Sequence, residues 1–227
     1  MTLWIFGDSF SVATYAMTKT PPTFMPWTDQ ITLQLGFEEH HNYAEWGVSN
    51  DFILSQLFKF ADNIQPNDYV ILQLTECSRQ WFFKDKPHFS NFKSIVNADT
   101  ELSKQEINAC NEYMKYLQRD EIDKHRYGIT CLAIEQLKTM FNTWHILVLP
   151  GFHSYHNVNG TLIDICNNEF AESTKIDQWY AKHDRFDPRP NHMSKNNHKV
   201  LADKIIDYFK FGTSLDLTVG FEQKFLK

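Results

Sequence analysis

Little in this chain points to metal, disulfide or phosphate chemistry. Its 227 residues include only four cysteines, Cys77, Cys110, Cys131 and Cys166, set far apart and without a C-x-x-C pair. That spacing suggests neither a zinc site nor a disulfide framework, so the four read as reduced thiols. No apolar run approaches the length of a membrane span, and only four consecutive apolar residues, with no basic segment before them, precede Gly7. The expectation is a protein that begins at Met1 and stays in the cytoplasm. A basic excess is missing as well: 22 Lys and Arg stand against 28 Asp and Glu, a net charge of -6, and the cations are scattered. Nothing there would track a phosphate backbone, which excludes nucleic acid as an expected partner. The first apolar run is not followed by a glycine-rich phosphate loop, which argues against a nucleotide-binding α/β protein. Repeats, low-complexity segments and linkers are lacking too, and the expectation is one domain over residues 1–227.

What is present suits a folded enzyme-sized domain. Hydrophobic residues make up 42% of the chain, aromatics 15% and charged residues 22%, enough apolar surface to exclude disorder. Leu3-Trp4-Ile5-Phe6 reads as a buried strand that ends in the turn Gly7-Asp8-Ser9. Residues 11–26 carry Pro21, Pro22 and Pro26 and read as a loop or broken helix. Trp27, Ile31 and Leu35 line one face of a helix that Gly36 closes, and a short strand is expected over residues 38–44. Ile53, Leu54, Leu57, Phe58 and Ala61 form a second stripe, with Ser49 or Asn50 as its N-cap. After the turn Pro66-Asn67-Asp68, residues 69–74 are apolar enough for a central parallel strand.

Residues 75–103 form an aromatic-rich excursion with little periodicity. Ile107, Cys110, Met114 and Leu117 mark one helix face and Ile134, Leu137 and Phe141 another, with a break expected near Gly128. A fourth strand covers His145 to Leu149, and residues 152–191 are polar and irregular, with one short helix near Phe170. A last helix starts near Lys195 behind the cap Ser194, and residues 212–227 form a tail over the body. Strands alternating with helices indicate an α/β domain with a mostly parallel sheet.

Two features at opposite ends of the chain combine into chemistry. A serine on a turn at a strand's carboxyl end is exposed at the edge where open α/β sheets bind ligands. His192, just before the last helix, can reach the same edge, and an imidazole that accepts the serine proton turns an inert hydroxyl into a nucleophile. His183, His192 and His198 match no metal-ligand spacing, and His198 reads as a buried or helix-capping residue.

Here the sequence resembles the SGNH hydrolases, the GDSL esterases and lipases. Gly7-Asp8-Ser9 is similar to their first block, Asn42-Tyr43-Ala44-Glu45-Trp46-Gly47 to their second, and the segment from His192 through Asn197-His198-Lys199-Val200-Leu201-Ala202 to their last. The resemblance implies a three-layer α/β/α sandwich with a flavodoxin-like sheet, Ser9 as nucleophile, His192 as base, and backbone N–H groups of Ser9 and Gly47 as oxyanion donors. It implies no cofactor and no metal, and as partner a small-molecule or carbohydrate ester.

Two departures stand out. Cys77 lies roughly where the family's third block supplies an asparagine to the oxyanion hole, and Arg189 lies three residues before His192, where the family has an aspartate. Asp187 or Asp184 is then the candidate to orient His192. Asn50 is either a helix cap or a third oxyanion donor, and Arg79 either a substrate contact or oxyanion stabiliser or part of a structural ion pair. The expected function is a serine esterase, leaning toward a small acyl group on a carbohydrate. The alternative is a binding or structural protein that kept the fold and lost the chemistry.

Overall fold

A computed structural model describes residues 1–12, 25–91, 95, 102–166 and 193–222. The Pro21 and Pro22 loop, the expected helix near Phe170, and His183, Asp184, Asp187, Arg189 and His192 lie outside the described residues. The architecture is mixed α/β. Strands β1 (Thr2–Phe6), β2 (Glu39–Asn42), β3 (Tyr69–Leu74) and β4 (His145–Pro150) form one parallel sheet in the order β2-β1-β3-β4. The chain runs from β1 to the neighbour on one side and then crosses to the other side, so the order reverses around β1. Between β1 and β3 lies the crevice where open α/β sheets bind ligands.

Alternation along the strands explains why they read as unbroken apolar runs. Leu3 and Ile5 of β1, with Ile71, Leu147 and Leu149, share one cluster with Trp27 and Ile31 of α1 (Trp27–Leu35) and with Leu201, Ala202, Ile205 and Ile206 of the C-terminal helix (Lys195–Phe211). Trp4 and Phe6, with Val70, Leu72 and Val148, point the other way, to Phe52, Ile53 and Leu57 of α2 (Asn50–Phe60) and to Ile134 and Leu137 of a long helix, Asp120–Met140. β1, β3 and β4 are buried on both faces and their successive side chains enter opposite cores, while the edge strand β2 is polar and partly exposed.

Local chemistry accounts for most helix ends. Gly36 adopts a left-handed conformation (φ 67°) after α1, the Ser49 and Ser194 hydroxyls accept the backbone N–H groups of Phe52 and Asn197, and Ser103 with Glu106 forms a capping box at α3 (Lys104–Tyr116). The expected break near Gly128 is corrected. The chain breaks at residues 117–119 instead, and α4 (Asp120–Met140) runs through Gly128. A glycine in a helix interior costs only about 1 kcal/mol relative to alanine, and burial of Thr130, Ile134 and Leu137 on the sheet outweighs it. Leu117 is correspondingly exposed just past α3.

Residues beyond β4 hold structure that periodicity did not suggest. Val158–Asn159 (β5) pairs in parallel with Leu215–Asp216 (β6), which follows the C-terminal helix, now α5. Leu215, Leu217 and Phe221 are buried in the α1/α5 core, so residues 212–222 of the expected tail pack against the body. In the excursion after β3, Phe82, Phe83 and Phe89 pack on Ile95, Leu102 and Cys110, and Trp81 meets the Phe52 ring edge-on at 5.2 Å. No helix among the described residues is long and apolar enough to cross a membrane.

Candidate functional site

The site begins with how β1 stops. Gly7 passes so close to β3 that a Cβ there would lie 2.7 Å from Gln73 Oε1. Gln73 is fully buried in an otherwise apolar strand, and its side chain is spent on the β1 turn: Oε1 accepts from Asp8 N at 2.8 Å and Ser11 Oγ at 3.2 Å, while Nε2 donates to the Leu74 carbonyl at 2.6 Å. Asp8 then shapes the turn itself. Ser11 N donates to the Asp8 carbonyl at 3.0 Å, and Phe10 N donates to Asp8 Oδ1 at 3.0 Å. Ser9 sits at the head of this turn, partly exposed between buried Asp8 and buried Phe10.

The chain after β2 comes alongside. Tyr43 N donates to the Ile5 carbonyl at 2.8 Å and Glu45 N to the Gly7 carbonyl at 3.0 Å, so β2's continuation tracks β1 into its turn. Asn42 adds a side-chain tie, Nδ2 to the Ser11 carbonyl at 2.8 Å. Gly47 follows with φ 71°, and a Cβ there would approach the His88 carbonyl to 3.2 Å, so both backbone strain and space favour glycine. Its carbonyl accepts from Ser90 Oγ, and its N–H makes no hydrogen bond among the described residues. Beside it Trp46, 46% exposed, stacks nearly flat on His88 with ring centroids 4.3 Å apart. His88 Nδ1 lies 2.8 Å from the Trp46 carbonyl, which holds the stack in place.

Asn50 is not the helix cap, and its side chain makes a tie that the sequence did not suggest. Ser49 caps α2, and Asn50, buried at its first turn, bonds the backbone of Thr75 twice: Oδ1 accepts from Thr75 N at 2.8 Å and Nδ2 donates to the Thr75 carbonyl at 3.2 Å. It ties α2 to the end of β3. Asn50→Ala is therefore expected to leave two buried backbone groups unpaired and to lower stability by about 1–3 kcal/mol, read by chemical denaturation. If its second amide hydrogen also serves an oxyanion, turnover falls by about 10²-fold or more in protein that is still folded.

Arg79 forms the ion pair. Its Nη1 lies 3.0 Å from Asp8 Oδ2, with the Arg79 side chain 12% exposed and Asp8 fully buried. Thr75 Oγ1 donates to the same carboxylate oxygen at 2.5 Å. Neither Gln73, Thr75 nor Asp8 is a site residue on sequence reasoning. Gln73 alone leaves a trace there, as the one polar residue between Ile71-Leu72 and Leu74.

Cys77 is a free thiol whose pKa burial pushes up, with Asp123 and Glu76 adding to the shift. Since the thiolate is the reactive form, Cys77 is expected to alkylate with iodoacetamide at pH 7 more slowly than free cysteine and to catch up only in alkali, measured by peptide mass spectrometry.

His192 and its candidate partners Asp187 and Asp184 lie outside the described residues, but the flanking chain does not. Met193, fully buried, belongs to the same apolar cluster as Phe10. Trp27 joins the two ends: its Nε1 donates to the Phe10 carbonyl at 2.9 Å, and its backbone N donates to Nδ1 of His198 on α5 at 3.4 Å. His198 is thus buried, as expected, and satisfies a free N–H at the start of α1. No group of three or more His, Cys, Asp or Glu that could hold a metal occurs among the described residues. The chain matches no protein-family model and no curated protein sequence.

Proposed function

We propose that this protein is a serine esterase built on a three-layer, SGNH-like α/β/α sandwich, acting by acyl transfer to Ser9. The observation that carries the reading is the meeting of the Ser9 and Gly47 turns at the carboxyl edge of the sheet, beside its topological switch point. His192 takes the Ser9 proton as the hydroxyl attacks the ester carbonyl, and returns it to the departing alkoxide. Asp187 or Asp184 orients the imidazole. The Ser9 and Gly47 N–H groups receive the negative charge of the tetrahedral intermediate, and water then hydrolyses the acyl-enzyme. The residues bracketing the pair support this, since Phe10 and Met193 occupy one core cluster.

The exposed Trp46 on the rim, next to Gly47, suits a ring-shaped alcohol, which favours a small acyl group on a carbohydrate. Four free thiols suit a reducing compartment, the cytoplasm. A fluorophosphonate probe tests the proposal without knowledge of the substrate, because it reacts only with a serine that has both a base and an oxyanion pocket. Labelling at Ser9 and slow hydrolysis of p-nitrophenyl acetate are expected. Folded protein that no probe size labels would instead be a binding protein on this fold.

A further inference from the structure

We infer that Arg79 is the positioning residue of the oxyanion pocket, a spacer that sets the separation of the Ser9 and Gly47 turns. The inference rests on the esterase reading. An oxyanion hole built from backbone N–H groups on two separate turns works only if something fixes those turns relative to each other, because its benefit comes from donors already in place when charge develops. In this chain the third-block asparagine is missing, so the two backbone donors carry more of that task.

Arg79 stands where such a spacer is needed. One guanidinium nitrogen, Nη1, has two acceptors, Asp8 Oδ2 at 3.0 Å and the Val48 carbonyl at 3.4 Å. Asp8 immediately precedes Ser9, and Val48 immediately follows Gly47. The Phe152 ring, from the segment after β4, lies 5.7 Å from the guanidinium carbon. Arg79 itself follows β3, so a single planar group bears on the segments that leave all four strands of the sheet. Thr75 and Asn50 close the circuit: Thr75 Oγ1 bonds Asp8, Asn50 bonds the Thr75 backbone, and Asn50 follows Val48 by two residues.

The role is positioning and not direct charge stabilisation. Asp8 neutralises the guanidinium locally, and Asp8 and Val48 take up Nη1. The buried Nε makes no hydrogen bond among the described residues and only a long ion pair, 3.9 Å, to Glu76 Oε2, so the two hydrogen bonds of Nη1 chiefly set where the group lies. A lysine would keep the charge against Asp8, but its ammonium is a point charge on a flexible stem and does not reproduce the rigid fork.

Two measurements on the full chain test this: the rate constant for fluorophosphonate labelling at Ser9, and amide hydrogen exchange followed by mass spectrometry. Arg79→Lys is the main variant, and Asp8→Asn with Arg79→Gln is the neutral pair in case the lysine variant does not fold. The expected result is labelling slowed by about 10- to 100-fold, since a misplacement of about 1 Å costs up to about 10²-fold, and p-nitrophenyl acetate hydrolysis that falls in kcat with KM unchanged. Exchange should quicken together in peptides covering residues 7–12 and 45–50, and stay unchanged in α2 beyond residue 52 and in β4. Labelling at the wild-type rate, or exchange that rises only over residues 75–80 or evenly along the chain, overturns the inference. Wild-type protein that does not label sinks the esterase reading and with it the oxyanion pocket, while the exchange pattern alone still decides whether Arg79 ties the two turns.

Discussion

Replacing Ser9 by alanine is expected to lower p-nitrophenyl acetate hydrolysis by about 10⁴-fold or more and to remove fluorophosphonate labelling altogether, with the fold intact. The size follows from what the hydroxyl does on the proposed pathway. It forms the bond to the acyl carbon, and the Cys77 thiol near that edge, its pKa pushed up by burial, is a poor substitute. Ser9 is partly exposed at the head of a turn whose geometry is set by Asp8 and Gln73, so the substitution removes one oxygen and leaves the side chains that shape the turn in place. His192→Ala should fall nearly as far, because nucleophile and base act as a unit and removing either costs about what removing both does. Asp187→Asn separates two forms of the site. A loss of about 10⁴-fold identifies the carboxylate that orients His192, and parental activity identifies a dyad or passes the role to Asp184. Hydrolysis that survives in Ser9→Ala at the parental rate would remove the serine from the mechanism.

The second large effect is expected at Trp27, far from any reacting atom. Its side chain is fully buried, the bulkiest such residue among those described, and it stands between the Ser9 turn and α5. Trp27→Ala should cost about 3–5 kcal/mol, the range for emptying an aromatic site in a packed core. For a chain of this size that lowers the melting temperature by roughly 6–20 °C. Trp27→Phe separates packing from hydrogen bonding. It keeps most of the apolar volume but leaves the Phe10 carbonyl without the indole N–H, an expected loss of about 1–3 kcal/mol. Because that carbonyl belongs to the residue after Ser9, the phenylalanine variant should also label more slowly than its modest loss of stability would suggest. A melting temperature within about 2 °C of the parent for Trp27→Ala would contradict the packing described, since about 1 kcal/mol already shifts it by about 2–4 °C.

Much of the architecture was legible because it depends on local chemistry. A four-residue apolar run ending in Gly7-Asp8-Ser9 reads as a buried strand that stops in a turn, and the structure has β1 and its turn there. The caps at Ser49 and Ser194 and the glycine after α1 involve partners within a few residues, so their spacing carries the information. The break placed near Gly128 failed for the opposite reason. Helix propensity is a weak preference of about 1 kcal/mol, and the long-range packing of α4 on the sheet overrides it.

By itself, then, the sequence determined the alternation of strands and helices, the turn that presents Ser9, the glycine at position 47 and the caps that start the helices. Only the tertiary structure decided the strand order, and with it which loops meet at the carboxyl edge. Asp8 finds Thr75 at a separation of 67 residues and Arg79 at 71, and Asn50 finds Thr75 at 25. None of these pairs has a spacing signature. A buried polar group must be satisfied, but the partner that satisfies it is whichever donor or acceptor the sheet brings within about 3 Å. Asn50 shows this most directly: its local sequence offers a helix cap, yet Ser49 one residue earlier already fills that place, and the nearby end of β3 turns the asparagine into a tie between helix and strand.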